Sequence, residues 1–264
     1  MNNTKAIIQI DVDVTNPGQF FACCGLLELA DRLWGEAEGW FEQRRFTIST
    51  GGELTRLVRE FVGAPLRQID PDDGTASPLE LGPPFRMRLD WWQDEGSGGK
   101  NLKVWAGTMD STRIARAMRS ALTDGRFHDS RLFDVVVVVF DPIEVEKKVE
   151  PFYFDARRGP NAHSRDVGFS PNDLQMTTTA FPTVEILCFV GLQRALPTPT
   201  DQRGFFEYHT WSSPIPTSLV PAAVCGLLPV PGRRGFRFEN WYRTGQRKHK
   251  AFRSAIPIST GGDS

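Results

Sequence analysis

No apolar run in this 264-residue chain approaches the roughly 20 residues that a bilayer-spanning helix needs. The amino end, MNNTKAIIQIDVDV, has no basic region followed by an uninterrupted apolar core. It reads as a first strand rather than a secretory signal, and a cytoplasmic chain with no membrane partner is the expectation. Cysteine is scarce as well. Cys23, Cys24, Cys188 and Cys225 form no CxxC pair and sit in apolar stretches, so they read as buried, reduced thiols. With no Cys or His pair at ligand spacing, neither a zinc site nor any other metal or cofactor is expected. GxxxxGK[ST], a GxGxxG after a strand, GxSxG and HExxH are all missing. Their absence removes P-loop NTPases, dinucleotide enzymes, nucleophile-elbow hydrolases and zincins. Asp11 and Asp13 share the exposed face of an alternating strand and read as solvated, not as a cation site.

What remains is an ordinary globular composition, 40% hydrophobic and 24% charged, which excludes global disorder. The net charge of −1 conceals an asymmetry. Residues 1–150 carry 18 Lys/Arg against 24 Asp/Glu, a balance of −6; residues 151–264 carry 13 against 8, a balance of +5. The expectation is a single domain over 1–264, with an acidic first half and a basic second half that meet near 142–150. In PGRRGFRFENWYRTGQRKHKAFRSA eight basic residues accompany one acid, Glu239. A phosphate-binding surface needs such local positive potential rather than a basic protein as a whole.

Along the chain, AIIQIDVDV alternates as a half-buried strand. Thr15 or Asn16 can cap a helix through PGQFFACCGLLELADRLWG, with Pro17 in the first turn, Gly35 as the stop, and Glu28, Asp31 and Arg32 marking an exposed end. RRFTIST predicts a strand, residues 63–84 a long loop, and FRMRLDWW with NLKVWAG a hairpin. Asp110 or Ser111 caps a helix that buries Ile114, Ala117, Met118, Ala121 and Leu122 and leaves Arg113, Arg116 and Arg119 on the other face. LFDVVVVVFDP and PFYFDA predict strands, the first covered on both sides. TTTAFPTVEILCFVGLQRAL predicts a second apolar helix, capped near Thr178 or Thr179. GFFEYHTW, a short helix in SLVPAAVCGLL, and a terminal hairpin of GFRFENWYR and KAFRSAIPI complete the order. Adjacent strands without strict βα alternation imply an α+β fold with mainly antiparallel sheet.

Two stretches carry the charge chemistry. PFYFDARRGPNAHSRDVGFSPND gathers Asp155, Arg157, Arg158, His163 and Arg165 between Gly and Pro residues. Arginine's planar, permanently charged fork suits bidentate phosphate contacts, and Asp155 can orient one guanidinium. In the terminal hairpin Phe236 and Phe238 alternate with Arg237, and Trp241 lies among Arg233, Arg234, Arg243, Arg247, Lys248, Lys250 and Arg253. Aromatics interleaved with cations provide stacking platforms along a charged track, as single-stranded nucleic acid requires. Two other readings stand beside this one. His163 with its arginine neighbours could act as the general base of a metal-independent, guide-processing ribonuclease. Alternatively, the basic faces could meet acidic partner subunits in a purely structural protein.

TNPGQFFACCGLLELADRLW (15–34), PFYFDARRG (151–159), DVGFSPNDLQM (166–176), FPTVEILCFVGLQR (181–194) and YRTGQRKHKAF (242–252) together resemble the small subtype-specific protein of type I-U, also called I-G, CRISPR–Cas systems. The resemblance implies a non-catalytic subunit of a Cascade-like complex, with crRNA, target DNA and other effector-complex subunits as partners. In such complexes base pairing reads the sequence, while protein subunits hold backbones and displaced strands. It also admits RRM-like, RAMP-type elements in the fold. It supplies no catalytic residue.

Overall fold

The computed structural model describes residues 5–72, 77–92, 110–158, 178–242 and 249–259. The alternation of AIIQID becomes strand β1 (Ala6–Asp11), with Ile8 and Ile10 turned inward. Asn16 then caps α1 (Pro17–Trp34), its side chain accepting the Gln19 N–H, and Pro17 occupies the first turn, where no amide hydrogen is needed. An all-round apolar sequence leaves the helix buried from Pro17 to Ala30. Glu28 departs from the expected exposed end: it is buried and accepts from Arg32 at 2.7 Å and Arg194 at 2.6 Å.

The chain next forms β2 (Glu38–Glu42) and β3 (Arg45–Thr50), an antiparallel hairpin. β3 also pairs antiparallel with β1, from Ala6 opposite Thr50 to Asp11 opposite Arg45. α1 therefore carries the chain from β1 to a strand parallel to it, with β3 inserted between them, which is a split β-α-β unit. β9 (Ile215–Pro216) extends this sheet to the order β1-β3-β2-β9.

A second sheet holds β7 (Thr198–Pro199), β8 (Phe205–Thr210), β10 (Arg234–Tyr242) and β11 (His249–Phe252) in the order β11-β10-β8-β7, and β12 (Ile256–Ile258) also pairs with β10. The expected terminal hairpin is thus present as β10–β11. A third, small sheet of β4 (Leu66–Gln68), β5 (Leu79–Leu81) and β6 (Met87–Leu89) corrects the loop expected over 63–84. FRMRLDWW supplies β6, which pairs with β5; its expected partner, residues 101–107, lies outside the described residues.

Helices α2 (Leu54–Gly63), α3 (Ser111–Ala121), α4 (Pro182–Gly191) and α5 (Val220–Val224) make the fold α+β. α3 is capped by Asp110 as expected, whereas α4 begins after Phe181 rather than at Thr178 or Thr179. Two expected strands are not strands. LFDVVVVVFDP forms only isolated bridges, Val137 with Ala180 and Phe140 with Lys148, because β-propensity cannot build a ladder without a neighbouring strand. Residues 151–156 are buried but irregular, with Tyr153 at φ 61°.

α1 and α4 cross at Gly25 and Gly191. A Cβ on Gly25 would collide with the Leu187 carbonyl oxygen, and one on Gly191 with that of Phe21. Only hydrogen fits there, so the two backbones meet directly. Around this crossing the aromatics interlock: Phe20 stacks on Tyr208 at 4.3 Å and on Phe41 at 5.3 Å. The first two sheets are tied by Phe41 N–H donating to the Trp211 carbonyl (2.9 Å) and Trp211 Nε1–H to that of Gly39 (2.8 Å). Apart from Tyr153, Ala156 and Ala251, the buried apolar side chains among the described residues of both halves join one core.

Candidate nucleic-acid interface

The first expected site begins where residues 151–158 pass the start of α1 and the side of α4. Asp155 is fully buried and accepts from Asn16 Nδ2 at 2.9 Å, from the Arg157 backbone N–H at 2.9 Å, and from Arg157 Nε and Nη2 at 3.0 and 2.7 Å. Asn16 returns the contact by accepting the Ala156 N–H at 3.1 Å. Glu185, projecting from the first turn of α4, is also fully buried and accepts the backbone N–H groups of Phe154 (3.2 Å) and Asp155 (3.1 Å). Burial pushes its pKa up to about 8; the backbone donors oppose that rise and the neighbouring Asp155 adds to it.

Arg157 answers these acids. Besides Asp155 it donates Nη1 to Asp134 (3.0 Å) and Nη2 to the Phe133 carbonyl (2.6 Å), and its guanidinium carbon lies 3.5 Å from the centre of the Phe181 ring. Burial pulls its pKa down, but the bonds to Asp155 and Asp134 outweigh that and hold it above the ordinary arginine value. The described geometry makes Arg157 the brace of the buried Asp155. Most of its donors are committed inside the chain, so a phosphate would have to displace Asp134 or Asp155. Arg158 is half-buried, and its Nε has no hydrogen-bond partner among the described residues. His163 and Arg165 lie outside the described residues.

The arginine face of α3 is likewise internal to the protein. Arg113 bridges Asp141 (3.2 Å) and Glu144 (2.9 Å), and Arg119 donates to the Ala64 carbonyl at 2.5 Å.

In the terminal sheet, alternation sorts β10 into two faces. Phe236, Phe238 and Asn240 turn to the core, while Arg237, Glu239 and Trp241 lie on the other face and are half-buried. Arg237 pairs with Glu207 of β8 (Nε to Oε1, 2.9 Å). Arg253 pairs with Glu239 at 3.1 Å and lies 4.2 Å over the Trp241 ring, its side chain half-exposed. Arg233 donates to the Gly226 carbonyl at 2.8 Å. Arg243, Arg247, Lys248 and the Lys250 side chain lie outside the described residues.

Arg234 sits at the far end of β10, and the structure brings it to residues that sequence reasoning missed. It lines a cleft of about 730 Å³ together with Arg44 and Arg45 of the β2–β3 turn, Thr210, Ser212 and Asp11. The available signal was the Arg44–Arg45 doublet beside a strand, which a search for basic runs passes over because it is short.

No second chemistry competes with these surfaces among the described residues. His128 and His209 each contact a backbone carbonyl, of Leu122 (3.1 Å) and Val224 (3.2 Å). Cys23, Cys24 and Cys188 are buried, and burial pushes their thiols up. No group of three or more His, Cys, Asp or Glu residues able to hold a metal occurs among the described residues, and none of their helices is long and apolar enough to cross a membrane. Set against known proteins, the chain matches no family model, no curated protein and no solved structure.

Proposed function

We propose that this chain is a non-catalytic subunit of a type I-U/I-G RNA-guided interference complex that contacts crRNA or target DNA through its basic, aromatic terminal sheet. The observation that carries the reading is the Arg253–Trp241 stack on the outer face of β10, with Arg237 on the same face. An aromatic ring flanked by a half-exposed guanidinium is the element on which single-stranded bases stack while cations follow the backbone. The separated motifs of the five quoted stretches agree with the reading, and the split β-α-β unit is compatible with a RAMP-type subunit.

The test is to co-express the chain with its operon neighbours and a CRISPR array, purify the assembly, and map nucleic-acid crosslinks. Crosslinks within 233–253 in the intact chain, reduced in Trp241→Ala with Arg253→Gln, are the expected result. Crosslinks to RNA would place the chain on the guide, and crosslinks to DNA on the target. A second reading, a purely structural assembly subunit, is favoured by the internal pairing of Arg157 and Arg237 and by outward apolar side chains such as Ile143, Leu227 and Ile256. Co-purification with no crosslink to the chain would establish that reading and overturn the first.

A further inference from the structure

We infer that the cleft between the β2–β3 turn and the start of β10 is a phosphate-binding site, separate from the Trp241–Arg253 face. The inference takes the phosphate to belong to a polynucleotide backbone, and in that respect rests on the function proposed above. Arg234 and Trp241 stand seven residues apart on one strand, so the two sites are separated by roughly 23 Å at the usual rise of a β-strand.

The cleft forms where two sheets meet at a fixed angle. Phe41 bonds Trp211 across the junction, so the turn that carries Arg44 and Arg45 is held against the end of β8. Arg234 lies directly opposite Thr210 in the β8–β10 register, which puts both side chains on the same face of that pair. Arg44 and Arg234 are exposed, and neither has a hydrogen-bond or ion-pair partner among the described residues. Arg45 is held only loosely, 3.9 Å from Asp11 and 3.4 Å from Gln9.

Thr210 lines the cleft but is 1% exposed, and its hydroxyl oxygen is sealed from solvent, so it shapes the cleft wall and offers no donor to a ligand. Two guanidiniums without a partner among the described residues, and a third weakly held, give the cleft an excess of cationic donors over the two acids on its lining. A phosphate supplies tetrahedral acceptor oxygens and the negative charge such a set recognises. The two acids on the lining limit the site to one or two phosphates. Asp11 faces Arg45, and Glu42 accepts from Trp40 Nε1 at 2.9 Å. A free phosphate or pyrophosphate offers the same chemistry as a backbone, so the test separates the two sources.

The experiment measures binding of the full-length chain to a short fluorescein-labelled single-stranded RNA over a range of salt concentrations, and to pyrophosphate by calorimetry. The variants are Arg44→Gln with Arg234→Gln, Thr210→Val, and Trp241→Ala with Arg253→Gln as a control at the other site. The double glutamine variant is expected to weaken RNA binding about tenfold or more. It should also flatten the slope of log K against log salt by about 1.4, the share of two phosphates on a single strand. Thr210→Val is expected to leave binding unchanged, because the hydroxyl it removes is sealed from the cleft. RNA binding that the double glutamine variant leaves unchanged, while the Trp241–Arg253 control weakens it, overturns the cleft and leaves the proposed function standing. Pyrophosphate binding that depends on Arg44 and Arg234, with no RNA binding at all, supports the cleft with free phosphate as its source and defeats the polynucleotide reading. Binding of neither ligand overturns both.

Discussion

Arg157 and Arg234 are the same residue type in two arginine-rich stretches, and the fold treats them in opposite ways. Arg157 is surrounded by a buried acid, an exposed one, a carbonyl and an aromatic ring, so its charge is answered where it stands. Arg234 shares its cleft with two other arginines, and its guanidinium lies 5.9 Å from the centroid of the Phe236 ring. The contrast teaches that a local count of arginines says little about what they do. What decides is whether acids distant in sequence arrive beside them. Asp134 does so for Arg157, from 23 residues away, whereas among the described residues no ion pair answers Arg44 or Arg234.

The largest effect that would break the comparison is on folding. Replacing Arg157 by Ala leaves Asp155 buried beside Glu185 without a cation, and removing one partner of a buried pair costs about 3–5 kcal/mol. Urea unfolding of Arg157→Ala is the measurement. A loss under about 0.5 kcal/mol, the range of an ordinary surface substitution, would show that Arg157 is not a brace and would return it to the nucleic-acid surface.

Glu185 sharpens the same point through pH. Its pKa is raised from 4.5 to about 8 in the folded chain, so between those values the folded state holds a proton that the unfolded state has released. Unfolding in that window gives up a proton, and stability therefore falls as pH rises from about 4.5 toward 8. Glu185→Gln removes the titration and keeps one acceptor oxygen, enough for either the Phe154 or the Asp155 amide, at a constant cost that does not depend on pH. It should flatten this decline by on the order of 5 kcal/mol across the window. An unchanged pH profile would mean that the acid pair is solvated well enough to ionise at ordinary pH.

The parts of this fold legible in the sequence were those set by local chemistry. Asn16 and Pro17 start α1, Asp110 starts α3, Pro182 fixes the first turn of α4, and alternation in FFEYHT and GFRFENWY gives β8 and β10. What failed depended on neighbours. The valine run at 135–139 has strand propensity but forms only isolated bridges, with no strand to pair with among the described residues, and residues 151–156 exchange a ladder for the Glu185 and Asn16 side chains. The small sheet at 66–89 was hidden because its strands have only three residues each, too few to show a period. The site divided in the same way. The stack of Arg253 on Trp241 follows from two hairpin strands rich in aromatics and cations, whereas the cleft needs Arg44 and Arg234 to be brought together from opposite ends of the chain, which no spacing rule encodes.

The smallest effect is the one that sharpens the comparison most. Arg44→Gln with Arg234→Gln should change folding stability by less than about 0.5 kcal/mol, because both side chains are exposed and neither completes a hydrogen bond or ion pair among the described residues. Urea unfolding at low salt is the sensitive condition, since any long-range pairing of exposed charges is strongest there. A slight gain is also consistent, as it would reflect relief of repulsion among three arginines on one cleft. A loss comparable to that of Arg157→Ala would mean that the cleft arginines are structural like Arg157, and that the two regions differ in position but not in role.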